Sequence, residues 1–109
     1  HPDTLNSRNN LAVALYSQGK YAEAEQEHRA VLQIQKRVLG AEHPNVARSC
    51  YNLAICLEDQ QKLPEALAFM QRAEQVWTKI LGADHPDTKR AKAARQRIEA
   101  ELKKDPPPQ

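Results

Sequence analysis

The sequence predicts an all-α fold, a right-handed solenoid of two helix-turn-helix repeats closed by a C-terminal capping helix. Two observations carry this. Glycine is 3 of 109 residues and aromatics are 5%, while Ala, Leu, Gln, Glu, Lys and Arg dominate, which is the usage of helices packed through small side chains. The second observation is internal repetition at a fixed period, the signature of a stacked-repeat architecture. His-Pro occurs at 1–2, 43–44 and 85–86, and laying residues 1–42 on 43–84 without a gap gives 15 identities.

Each unit reads as two helices. The first runs from about Asp3 to Ser17, with Leu11, Ala12 and Leu15 on one face, and Gln18-Gly19-Lys20 makes the turn. The second runs from Tyr21 to Leu39 with an apolar stripe of Ala24, Val31, Ile34 and Val38. Gly40 ends it, because glycine takes the left-handed conformation at little cost. His43-Pro44-Asn45 then opens the next helix, with Pro tolerated in its first turn and Asn or Asp available as a cap. The second unit repeats this from Asn45 to Leu81, with a stripe of Ala66, Met70, Ala73, Trp77 and Ile80. Ala24 and Ala66 are expected where the two helices of a pair approach most closely.

A fifth helix runs from about Asp87 to Lys103. Where the repeats carry Leu53 and Leu57, it carries Arg95 and Glu99, so no further helix is expected on that side and Arg95 should face water. Ala91, Ala94, Ile98 and Leu102 leave another face apolar, able to close over repeat two as a cap, which a solenoid end requires. The organisation is thus one domain over residues 1–104: repeat one at 1–42, repeat two at 43–84, the capping helix at 85–104. Residues 105–109, with three consecutive prolines, read as a disordered tail.

Asn9-Asn10-Leu11-Ala12, Gly19-Lys20-Tyr21, Glu23-Ala24-Glu25 and Val38-Leu39-Gly40-Ala41-Glu42-His43-Pro44 together resemble a tetratricopeptide repeat. The 42-residue length and the Leu-Gly-x-x-His-Pro loop are similar to the kinesin-light-chain subtype. Repeat two departs from that pattern at Gln61, where Gly is usual, and at Leu63 and Met70, where aromatics are usual. The resemblance implies protein–protein interaction, with an extended peptide or partner segment held along the first helices of each pair. The face opposite the Leu-rich seam then assigns the groove to Asn6, Asn9, Asn10, Val13 and Tyr16, to Arg48, Tyr51, Asn52, Ile55 and Asp59, and to Arg90 and Arg97 on the cap. Asn10 and Asn52 match the asparagine that bonds a ligand backbone in peptide-holding members of the family. Their bland alternative is a bond to a neighbouring helix. Arg48, Arg90 and Arg97 point to an acidic ligand, since like charges on one groove call for a counter-charge.

Other classes find little support. The longest apolar runs are a few residues, so no membrane span is expected, and no signal peptide opens the chain. His1-Pro2 begins part-way through a repeated loop, which suggests a piece of something longer. Cys50 and Cys56, six apart, lie about 120° apart around one helix and cannot pair with each other, so they read as buried small residues. With no targeting signal, a cytoplasmic setting is expected. The repeated histidines cannot share a metal ion, because stacked repeats sit about 10 Å apart, so a local loop role is assigned to them. No metal motif, phosphate loop or catalytic elbow occurs; neither enzyme activity nor a cofactor is expected. Residues 87–104 hold seven basic against three acidic side chains but no aromatic, so nucleic-acid binding through this helix ranks below a solvated face. A spacer or self-association role in a larger regulatory protein is the other open reading. Trp77 is either packed under the cap or a partner-facing anchor.

Overall fold

The computed structural model describes residues 2–104, with side chains described for Arg8 and from Asn10 onward. The tail at 105–109 and the side chains of Asn6 and Asn9 lie outside the described residues. Five helices follow one another: α1 (Pro2–Ser17), α2 (Tyr21–Leu39), α3 (Pro44–Asp59), α4 (Leu63–Leu81) and α5 (Pro86–Lys104). Each packs on its neighbour in sequence, giving an elongated body of 48 × 32 × 21 Å. No strand occurs among the described residues. The chain is an all-α solenoid, and the 42-residue period sets its helix boundaries to within a residue.

Small side chains let the helices approach. Ala12, Ala24, Ala54, Ala66, Ala73, Ala91 and Ala94 are all buried. Around them Leu32, Val46, Leu53, Leu57, Met70, Val76, Trp77 and Ile98 form one continuous core from α2 to α5. Trp77 is buried in it. Its indole N–H donates to the Pro44 carbonyl at 3.2 Å and its ring lies 5.8 Å from that of Tyr51, so it ties the end of α4 to the start of α3. That partner is α3 rather than the cap.

Two expected stripes are rotated at their ends. Val38 is 66% exposed and Ile80 is exposed with it, while the unpredicted Leu32 and Val76 are buried. A helix turns by 100° per residue, so steps of four and three drift off a straight face over about four turns. The caps also differ from expectation. His43 Nδ1 accepts the Asn45 backbone N–H at 3.0 Å, and His85 Nδ1 accepts that of Asp87 at 3.1 Å. The histidine itself is the cap in each loop; neither Asn45 nor Asp87 takes that role.

Gln61 takes φ 63°, in the turn where Gly19 takes φ 79°. A Cβ in the left-handed region is strained, so repeat two carries a strain that repeat one avoids. Arg95 does not face water. It pairs with Glu74 of α4 and with Glu99 at 3.0 Å, and its side chain is only 23% exposed. A cation replacing Leu has found one carboxylate on the helix that it crosses and another a turn along its own helix. Leu11, expected to pack in its own pair, is half exposed.

Gln61→Gly should raise stability by about 0.5–1 kcal/mol in urea unfolding, since the loss of strain exceeds the entropy that glycine returns to the unfolded chain. An unchanged or lowered midpoint would contradict this. Ile98→Asp should cost more than about 3 kcal/mol, by placing a charge in the α4–α5 seam. Arg95→Ala should cost roughly 1 kcal/mol, the scale of a half-buried ion-pair network, and thermal melts of the two variants should rank in that order.

Candidate functional site

Three helices enclose a pocket of about 280 Å³ lined by Val13 and Tyr16 of α1, His28 of α2, and Tyr51, Asn52, Ile55 and Cys56 of α3. Its walls are mostly apolar. The sequence periodicity explains the convergence. Val13 and Ile55 occupy equivalent places 42 residues apart, and each lies one position beyond the alanine (Ala12, Ala54) buried in its own pair. The pocket therefore opens where the first helix of one repeat faces the first helix of the next, with α2 as its floor.

Five predicted groove residues meet here: Val13, Tyr16, Tyr51, Asn52 and Ile55. Asn52 is half-buried, and its side-chain amide makes no hydrogen bond among the described residues. Asn10 is exposed and outside the pocket lining. Asp59 is exposed and outside the pocket lining, with its carboxylate near enough to act on the Tyr16 phenol. The Asp59 carboxylate, together with burial, pushes the phenol well above its ordinary range. The Tyr16 ring leans on Tyr21, 5.2 Å between centroids.

The three arginines stand apart from this pocket and are already paired. Arg90 reaches Asp87 at 3.2 Å, and Arg48 approaches the same carboxylate at 4.0 Å. Arg97 grips Glu58 through two bonds of 2.7 Å each. The counter-charge that was sought in a ligand is thus supplied by the chain itself. Sequence spacing correctly set Arg48 and Arg90 on neighbouring turns of the stack; it did not reveal that Asp87 lies between them.

His28 and Cys56 were missing from the sequence-derived groove. His28 is buried, and its Nδ1 has no hydrogen-bond partner. Burial holds its pKa down, at about 4, so the ring is neutral in the folded protein. The available signal was the repeat itself, since the matching residue of repeat two is Met70, a core residue. Cys56 is buried and unpaired, and burial raises its thiol to about 11, so it serves as wall and not as nucleophile. Burial raises the Cys50 thiol as well. No group of His, Cys, Asp and Glu suited to a metal ion occurs among the described residues.

Helix pairs at a 42-residue spacing, stacked through alanines with Leu-Gly-x-x-His-Pro loops, are matched by the tetratricopeptide repeat family profile at residues 3–75 and 49–95. The chain belongs to the tetratricopeptide repeat family. A crystal structure of a Podosopora anserina protein, described as a kinesin light chain with nearly identical TPR-like repeats, is similar at a TM-score of 0.83 and 25% identity. It is covered over 49% of its length and covers 95% of this chain. A glutamine-to-methionine variant of that same protein is similar at a TM-score of 0.82, 25% identity and the same coverage. This chain therefore spans about half the length of the solved structures that it matches, and its repeats are of the kinesin-light-chain-like type. No curated protein matches this sequence. Tetratricopeptide repeats are in general protein–protein interaction scaffolds and typically lack catalytic activity. No described helix is long and apolar enough to cross a membrane.

His28 makes the stability of this site depend on pH. The unfolded chain takes up a proton near the ordinary value of 6.5, and the folded chain only near 4. Stability is therefore full above 6.5 and falls as pH drops through that window, by roughly 3 kcal/mol in total. His28→Met, which installs the residue found at this place in repeat two, should flatten the fall between pH 6.5 and 5 in urea titrations. A fall of the same size in the variant would assign it to other groups.

Proposed function

We propose that residues 1–104 form one interaction domain that seats an extended segment of a partner protein between α1 and α3, with an apolar side chain of the segment in the pocket. The observation that supports this is a pocket with mostly apolar walls, open at the repeat junction, with the unengaged amide of Asn52 among its lining residues. The apolar walls favour an aliphatic or aromatic anchor. An amide offers donor and acceptor together, as a peptide unit demands. Asn10, a turn-equivalent residue on α1, is exposed and can meet the same segment further along.

The charge arrangement shapes the rest of the reading. A carboxylate on the partner would have to share Arg48 and Arg90 with Asp87, and Arg97 with Glu58. Acidic residues of the partner are therefore assigned a secondary, salt-sensitive role at the rim. The same pairings weigh against nucleic acid: on α5, Arg90, Arg95, Arg97 and Lys104 all have carboxylate partners.

Peptides selected from a random library against the chain should bind with micromolar affinity, about −8 kcal/mol, because a single anchor side chain would seat in this pocket. Asn52→Ala should weaken them several-fold, the scale of one backbone hydrogen bond, without changing the melting temperature. Ile55→Arg should abolish binding. Peptides that tolerate both substitutions, or amide shifts mapping to α2 and α4 instead, would refute the reading.

A further inference from the structure

The pocket between α1 and α3 has a counterpart one repeat along, between α3 and α5. Adding the 42-residue period to the lining residues gives Ile55 and Glu58 on α3, Met70 on α4, and Ala94, Arg97 and Ile98 on α5. Burial supports the equivalence. Ile98 is buried as Cys56 is, and Met70 as His28 is.

Two exchanges set the second junction apart from the first. Where the first has Tyr16 and Ile55 on its facing helices, the second has Glu58 and Arg97. These two are bonded to each other. Arg97 donates from Nε and Nη2 to the two carboxylate oxygens of Glu58, each at 2.7 Å. A bidentate pair of this kind holds both side chains in one geometry. It joins α3 to α5 at the places that are open pocket wall one repeat earlier. The Glu58 side chain is only 16% exposed, so an apolar side chain that displaced Arg97 would leave a half-sequestered carboxylate without its partner. Met70, fully buried on the floor helix, takes up room that the shorter His28 ring leaves at the first junction.

We propose, on the reading that a partner segment is anchored between α1 and α3, that Glu58 and Arg97 determine which segments fit: their pair straps the α3–α5 junction shut and bars a second apolar side chain from seating there. Stacked repeats sit about 10 Å apart and an extended chain advances about 3.3 Å per residue, so the barred place lies roughly two to four residues along the segment from its anchor. The segment carries one apolar anchor, and no apolar residue at that distance on the α5 side.

The test selects peptides from one random library against three forms of the full chain. These are the native chain, Glu58→Tyr with Arg97→Ile, which installs the first junction's residues at the second, and Glu58→Arg with Arg97→Glu, which reverses the pair. Peptides from the native and reversed chains should share a single apolar anchor. Those from the Glu58→Tyr, Arg97→Ile chain should carry a second apolar residue at the stated spacing, and should bind that chain at least about tenfold tighter than the native one. Glu58→Ala with Arg97→Ala removes the strap without adding bulk; it should admit the same second apolar residue, and it decides the matter if the first exchange loses its cooperative melt. Native-chain peptides with two apolar anchors at that spacing would overturn the proposal and leave the pocket reading standing. So would strapless chains that gain no second anchor, or a reversed pair that admits one. Native-chain peptides that tolerate both Asn52→Ala and Ile55→Arg would overturn the pocket reading and the strap together.

Discussion

A helix pair has apolar residues on more sides than its own two helices can cover, and the fold rests on how the next helix covers the remainder. In this chain the cover is made through alanine. Ala54 and Ala66 put only methyl groups into the core shared by α3 and α4, where Leu53, Leu57 and Met70 are buried with them. The same packing makes the α2–α3 seam unforgiving of unpaired polar atoms. Glu25 is tolerated there because Arg29, Gln60 and Lys62 use both of its oxygens. Arg29 also reaches Glu65 at 3.1 Å and lies over the Phe69 ring at 5.6 Å, so one guanidinium spans both repeats.

The helix boundaries were legible because they rest on local chemistry that recurs. Gly19, Gly40 and Gly82, the two inner His-Pro pairs and the 42-residue spacing each mark a backbone event, and backbone events follow from a few neighbouring residues. The core was legible where type and burial agree, as at Ile98, and misread where they do not. Val38 and Ile80 are apolar and exposed, whereas His28 is polar in type and lies under two helices. Composition offers no warning of either, but comparison of the two repeats does for His28, since Met70 holds its place.

Charge pairing was the least legible level. Arg48, Arg90, Arg95 and Arg97 each looked available in sequence, and each meets a carboxylate in the fold. The partners Glu58 and Glu74 are 39 and 21 residues from the arginines that they hold. Only the stacking angle of the helices decides such pairs, and no periodicity of either helix encodes it. His43 and His85 show the opposite case: a cap two residues away, hidden by the residue type and not by distance.

The pocket is a consequence of the same stacking constraint. Successive first helices are separated by a second helix that fits beneath them, so their upper faces diverge and leave a space that the side chains of α1 and α3 only partly fill. Val13 and Ile55 are aliphatic and of middling size, and His28 from below is shorter than a helix-spanning Met. A side chain entering that space touches both repeats at once. Its binding energy is therefore also seam energy, and it adds to the contacts that Glu25 makes with α3 one turn before His28 on α2. Recognition at this site and cohesion of the stack draw on one interface, so a ligand that fills the pocket stabilises the arrangement that creates it.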